Sequence, residues 1–448
     1  MEEVIDFLLN KFEQTKGEEA IIFKRRSYDY AWLLERISHW RKEIANSEIK
    51  SGTIAILEGD FSPDAIALFL ALAERRCVIV PLTSAVQSKK EEFIDIAQGE
   101  ITLRVTDHGV AFEKTARIAD HEYYRALREK GHPGLVLFSS GSTGKSKAAV
   151  HDLSKLIEKF RVPRNRWRTI AFLLFDHIGG INTLLYTLSN GGCLITVDDR
   201  SPDGVLRSIE EFRAELLPTS PTFINLIILS EAYRKYDLSS LKLITYGTEP
   251  MLETTLHRIK KILPHVSLQQ TYGLTELGIL RSRSKTDDSL WVKIGGEGFE
   301  TKIVDGVLWI RANSAMLGYL NAPSPFDQDG WFNTGDLVES EGDYIRILGR
   351  QSEVINVGGE KVHPTEIENV IQMMEGVEDV TVRGEPNPIV GQMVVAQVKV
   401  GTNETATEFK KRLRSFCKNR LANYKIPQKI TIISSATHDN RYKKIRLP

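Results

Sequence analysis

Apolar positions in the first part of the chain fall in short continuous runs rather than in alternation. Residues 53–57 (Thr-Ile-Ala-Ile-Leu) and 77–80 (Cys-Val-Ile-Val) are two of them. Such runs, rich in β-branched residues, predict strands covered on both faces. Between them, Ser62-Pro63-Asp64 is a helix start, a hydroxyl cap followed by a proline whose missing N–H costs nothing in the first turn. The helix predicted from there runs to Arg76 and makes a βαβ unit, which implies a parallel sheet with helical cover. Further buried strands are predicted at 135–138, 193–197, 243–246 and 266–270. After Gly349 the rhythm changes. A proline-initiated helix (364–374) leads into strands at 377–383 and 393–400, then a charged helix (407–421) and a last strand (429–433). The pattern predicts an α/β fold with a large N-terminal domain, residues 1–349, of parallel or mixed sheets with helices. A small, mobile α+β domain, residues 350–448, follows a short linker.

Composition narrows the function classes. The 448 residues are 42% hydrophobic and 26% charged, which excludes a largely disordered chain. Lys and Arg total 59, as do Asp and Glu, so nothing argues for nucleic acid or an anionic membrane as partner. Cys77, Cys193 and Cys417 are too few and too scattered for a disulfide framework or a zinc site. The longest apolar run, 65–73, falls far short of the roughly 20 residues that span a membrane. Residues 1–16 lack the basic start and apolar centre of a signal peptide. The expectation is a cytoplasmic enzyme.

The strand predicted at 135–138 runs into Ser139-Ser140-Gly141-Ser142-Thr143-Gly144-Lys145-Ser146-Lys147. Hydroxyls, backbone N–H groups and lysines in one tight loop suit phosphate oxygens. By itself the stretch is equally a surface loop, and Gly144-Lys145-Ser146 also matches the end of a Walker P-loop, although Ser139 stands where that motif needs its first glycine.

Three more segments accompany it in order: Tyr246-Gly247-Thr248-Glu249-Pro250, Tyr272-Gly273-Leu274-Thr275-Glu276, and Asp329-Gly330-Trp331-Phe332-Asn333-Thr334-Gly335-Asp336 with Gly349-Arg350. The ordered set resembles the adenylate-forming superfamily, which includes acyl- and aryl-CoA synthetases, peptide-synthetase adenylation domains and firefly-type luciferases. The resemblance runs from about Ser51 to Arg446. It implies that Ser139, Ser140, Gly141, Ser142, Thr143, Gly144 and Lys147 form the phosphate loop, with Thr143 and Lys147 meeting the ATP phosphates. Gly247, Thr248, Glu249, Pro250 and Gly273 would belong to the nucleotide site. Glu276 would hold Mg²⁺, a hard cation that prefers carboxylate and phosphate oxygens. By the same match Thr275 would reach the α-phosphate, Tyr272 would stack on adenine, and Asp336 with Arg350 would meet the ribose.

The last segment, His438-Asp439-Asn440-Arg441-Tyr442-Lys443-Lys444-Ile445-Arg446, resembles the family's terminal Gly-Lys-Ile/Val motif. Because Ile445 follows it, Lys444 is matched to the catalytic lysine, and Lys443 stands where glycine is usual. Ser352 occupies the hinge position. Phe175-Asp176-His177-Ile178-Gly179-Gly180 looks like the family's acyl-pocket segment, following an apolar strand expected at 171–174. The resemblance gives His177 a gating role beside the substrate carboxylate. Asp176 either faces the pocket, where it would pair with an amine or hydroxyl of the acid, or caps a helix beginning near Gly179. The implied activity is ATP-dependent activation of a small carboxylic acid to acyl-AMP, then thioester formation, with ATP, Mg²⁺ and CoA as cofactors. The alternative acceptor is the phosphopantetheine of a carrier protein, with an acyl or amino acid as substrate.

Overall fold

The structure is a computed structural model that describes residues 4–140, 145–296, 298–401, 404–434, 438–439 and 441–444. Among these the strands form five sheets. Two of seven strands each make the body of the large domain. In one, the neighbouring strands Gly134–Ser140, Val78–Leu82, Ile54–Glu58 and Ile101–Thr106 are parallel, as the βαβ pattern predicts, with antiparallel strands at both edges. In the other, Ser267–Gln270, Leu243–Tyr246, Leu216–Thr219, Arg168–Ile170, Cys193–Ile195 and Glu19–Phe23 run parallel in that order.

The apolar run at 65–73 is the helix Pro63–Glu74, capped by Ser62 Oγ accepting from Ala65 N at 3.2 Å. Every residue from Ala65 to Ala73 is buried. The helix Ile178–Ser189 is nearly as apolar and joins the same core cluster. A helix hydrophobic on all sides belongs between layers, not on a surface. Fully burying each Leu, Ile or Phe of this kind contributes about 1.5–3 kcal/mol. Among the described residues no helix is long and apolar enough to cross a membrane.

A third, six-stranded antiparallel sheet ends with Phe332–Glu341 paired to Tyr344–Arg350. A short 3-10 turn, Gln351–Glu353, then leads into the five-stranded sheet of the small domain, whose helices Pro364–Gln372 and Ala406–Lys418 share its separate core. This is the predicted α/β class with a small α+β unit behind it. One expected strand is absent: the sheet strand ends at Ile170, and residues 171–174 run irregularly into the helix. A side chain at Gly180 would put its Cβ 1.9 Å from the Leu174 carbonyl oxygen, so this segment lies directly against the helix backbone.

Candidate functional site

The carboxyl ends of the second sheet's parallel strands open into a cleft of about 1560 Å³ that also takes residues from the third sheet and the small domain. Ligands in open α/β sheets bind at such strand ends. Strand Leu243–Tyr246 delivers Gly247 and Thr248, and the turn after Tyr272–Leu274 delivers Thr275 and Glu276. Gly247 admits no side chain, because a Cβ there would lie 2.6 Å from Thr271 Oγ1. Thr248 holds φ at 74°, a left-handed backbone costly for a residue with a β-carbon and characteristic of functional turns.

Glu276 is oriented by Tyr319, whose hydroxyl donates to its Oε1 at 2.5 Å. Tyr319 was not legible as a site residue. It sits on a two-residue strand, Gly318–Tyr319, paired with Ala149 and Val150, and no periodicity marks so short an element. The Lys147 ammonium lies 5.1 Å from the Tyr319 ring centroid. Ser139 and Lys147 face each other at the end of the antiparallel pair Gly134–Ser140 and Ser146–Asp152. A strand, not a helix, therefore follows the Ser/Thr/Gly loop, which removes the P-loop reading. Gly141, Ser142, Thr143 and Gly144 lie outside the described residues, as does the side chain of Ser140.

Tyr272 and Asp336 form a layer beneath the cleft wall. The Tyr272 hydroxyl donates to Asp336 Oδ2 at 2.5 Å, and Arg350 Nε holds Oδ1 at 2.8 Å. Tyr272 packs in the core of the third sheet, beside the cleft residues Thr271 and Gly273. Burial pushes the Asp336 carboxyl up, while Arg350 and the Tyr272 hydroxyl pull it down. Pro250 and Glu249 turn away from the main cleft. Glu249 accepts from Thr222 N at 2.8 Å and from Lys444 N at 2.9 Å.

His177, not Asp176, caps the helix Ile178–Ser189: its Nδ1 accepts from Gly179 N at 3.1 Å. That fixes the proton of the neutral ring on Nε2. Burial and the nearby cations Lys443 and Arg441 hold the imidazole well below its usual pKa, so it is neutral near pH 7. Asp176 is buried away from the cleft wall. It accepts from Thr83 Oγ1 at 2.8 Å, and Arg441 lies 3.9 Å from its Oδ2. Neither expected role, helix cap or pocket carboxylate, matches that position.

The terminal lysines part company. Lys444 Nζ donates to Val380 O at 2.8 Å and lies 3.2 Å from Asp379 and 4.0 Å from Glu368, all in the small domain. Lys443 lines the cleft, and so does part of Lys444. Burial lowers the pKa of Lys443, assisted by Arg441 and Arg350 and opposed by Glu249 and Asp439. The left-handed backbone that glycine takes readily falls one position earlier than expected, at Tyr442 (φ 56°). Ser352 lines the cleft within the 3-10 turn at the domain junction. Asn356, Gly358 and Gly359 are exposed, where the strand after the domain junction turns back on itself.

With this geometry in view, the chain belongs to the AMP-binding enzyme family. The family's pattern matches residues 9–320, and that of the AMP-binding enzyme C-terminal domain matches 366–443. A 2-succinylbenzoate–CoA ligase of Listeria monocytogenes is 26% identical over 96% of this chain and 95% of its own. The 4-coumarate–CoA ligase-like protein 9 of Arabidopsis thaliana is 28% identical over 70% of this chain. The chain spans about three-fifths of the length of the first curated relatives it matches. In fold it is similar to an anthranilate CoA ligase solved in complex with anthranoyl-AMP, with a TM-score of 0.84 at 18% identity, covering 99% of this chain and 95% of that one.

Proposed function

We propose that the protein activates a carboxylic acid with MgATP and then passes the acyl group to the thiol of CoA. The observation that carries this reading is the convergence on one cleft of Lys443, Arg350 and Lys147 opposite the Tyr319-oriented carboxylate of Glu276. In the first step a carboxylate oxygen attacks the α-phosphorus, the bond to the bridging oxygen breaks, and pyrophosphate leaves. Phosphoryl transfer asks a protein mainly for positioning and charge neutralisation. Lys443 supplies the charge at the carboxylate and α-phosphate. Lys147 and the hydroxyls of the Ser139–Lys147 loop bind the leaving pyrophosphate.

Glu276 receives the Mg²⁺ that arrives with ATP. Its carboxylate would hold the ion, a hard cation that prefers carboxylate and phosphate oxygens and would neutralise phosphate charge there. In the second step the thiol sulfur attacks the acyl carbon, its proton is lost, and the bond to AMP breaks. Neutral His177, at the head of the helix bordering the acyl side, keeps an Nε2–H toward the carboxyl group. Trp167, Tyr186, Leu216 and Leu243 line that side and suit an acid with an aromatic or cyclic body, in keeping with the arylic acids in the relatives' names.

Product analysis with ATP and a panel of aryl and acyl acids tests this. AMP and pyrophosphate, with acyl-CoA when CoA is added, are expected; ADP and phosphate would overturn it. Acyl transfer only to a carrier-protein pantetheine would move the acceptor and leave the first step standing.

A further inference from the structure

The residue between Arg441 and Lys443 makes more contacts with the large domain than either neighbour. The Tyr442 ring lies 5.3 Å from Phe172 and 5.1 Å, edge-on, from Phe223 by centroids. The Arg200 guanidinium stands 5.1 Å from the ring centre, and the hydroxyl donates to Arg200 O at 2.7 Å. Ser220 Oγ donates to the Tyr442 carbonyl at 2.7 Å, and His438 stacks on the other face at 5.1 Å. Phe172 and Phe223 belong to the core around the second sheet, so the ring adds a side chain of the small domain's terminal segment to the large domain's own core.

These contacts hold Tyr442 at φ 56°, a conformation unfavourable for any residue with a β-carbon. On the far side, Lys444 is fastened by its N–H to Glu249 and by its ammonium to the small domain. Lys443 is thus pinned on both flanks, and its direction into the cleft follows from the backbone turn at Tyr442. A lysine has four rotatable bonds, so charge delivered to a reacting centre depends on where its Cα is held.

We propose that Tyr442 is a positioning residue: its ring, seated between Phe172, Phe223 and Arg200, sets Lys443 in the cleft for acyl-adenylate formation. The inference rests on the role given to Lys443 above. Release of the ring frees the terminal segment, so the anchor serves the first half-reaction and not the second.

The test uses the full chain and both half-reactions, acid-dependent exchange of pyrophosphate into ATP and thioester formation from supplied acyl-adenylate and CoA. Tyr442→Gly keeps the left-handed backbone and removes the ring, whereas Tyr442→Phe keeps the ring. We expect Tyr442→Gly to lower kcat for exchange by about 10- to 100-fold, with KM for ATP and acid within about twofold and thioester formation undiminished. Tyr442→Phe should restore exchange to within about threefold of wild type. Wild-type exchange in Tyr442→Gly, equal loss in both half-reactions, or a Tyr442→Phe as impaired as Tyr442→Gly would each overturn the proposal. Lys443→Ala separates the two levels. Full exchange in Lys443→Ala removes the underlying reading, whereas loss in Lys443→Ala beside normal exchange in Tyr442→Gly removes only the anchor.

Discussion

The floor and the roof of the cleft are built on different terms. The floor belongs to the large domain, and its polar groups are cross-braced: Tyr319 on Glu276, Tyr272 and Arg350 on Asp336. The roof is a terminal segment, Arg441 to Lys444, held by a few contacts across the domain junction. On the two-step reaction proposed above, a site that binds one set of groups and later admits a thiol gains from this asymmetry. Preorganised dipoles are most effective where they do not move, and on that reading the charge that withdraws sits on the terminal segment. Floor changes should therefore weaken nucleotide binding, and roof changes should act on one chemical step.

The sharpest test is Lys443→Ala. Loss of its charge should cost acyl-adenylate formation about 3–4 kcal/mol, or roughly 10²–10³ in rate, while thioester formation from supplied acyl-adenylate survives. Equal losses in both assays would erase the distinction between floor and roof. Lys444→Met should differ in kind. It leaves the buried carboxylates of Glu368 and Asp379 without their ammonium, and a broken buried pair costs about 3 kcal/mol. A fall in thermal midpoint, with residual adenylation above that of Lys443→Ala, is the expected outcome. On the floor, Tyr319→Phe releases Glu276 and should raise KM for MgATP about tenfold, near the lower end of what a charged hydrogen bond contributes, measured by pyrophosphate exchange at varied Mg²⁺. An unchanged KM would mean that Glu276 needs no brace.

The smallest effect concerns pH. His151, on the floor strand against the backbone of Thr275, is fully buried, and burial brings its pKa down to about 4. The unfolded state binds its proton first, so its contribution to stability is complete above about pH 6.5 and is lost as pH falls toward 4. Each unit in that window removes up to about 1.4 kcal/mol. Chemical denaturation at pH 7 and 5.5 should show the loss, and His151→Leu should reduce it, leaving the part due to buried His177.

Regular structure was legible where pattern and packing agree. Residues 53–57 and 77–80 became neighbouring parallel strands because both faces are buried. Ser62 and Pro63 started the helix expected of them. The motifs at 247–248 and 275–276 reach the cleft because they lie just beyond strand ends. What sequence could not give is side-chain direction. Choosing between Lys443 and Lys444 depends on a left-handed residue at 442, and nothing in a tyrosine's identity announces that conformation. His177, not Asp176, is the cap because the helix starts one residue later than a cap at Asp176 requires. Tyr272 carries a hydroxyl bound to Asp336, a pairing that no motif spacing announces.

The cap at His177 has a consequence for how the small molecule is received. Its Nδ1 accepts from the second N–H of the helix, so the imidazole cannot swing from its place without releasing Gly179. Losing a cap costs about 1 kcal/mol, enough to loosen the first turn of an otherwise buried helix. Hydrogen–deuterium exchange at Gly179 would therefore act as a built-in reporter, quickening whenever the ring stands aside and slowing when it returns.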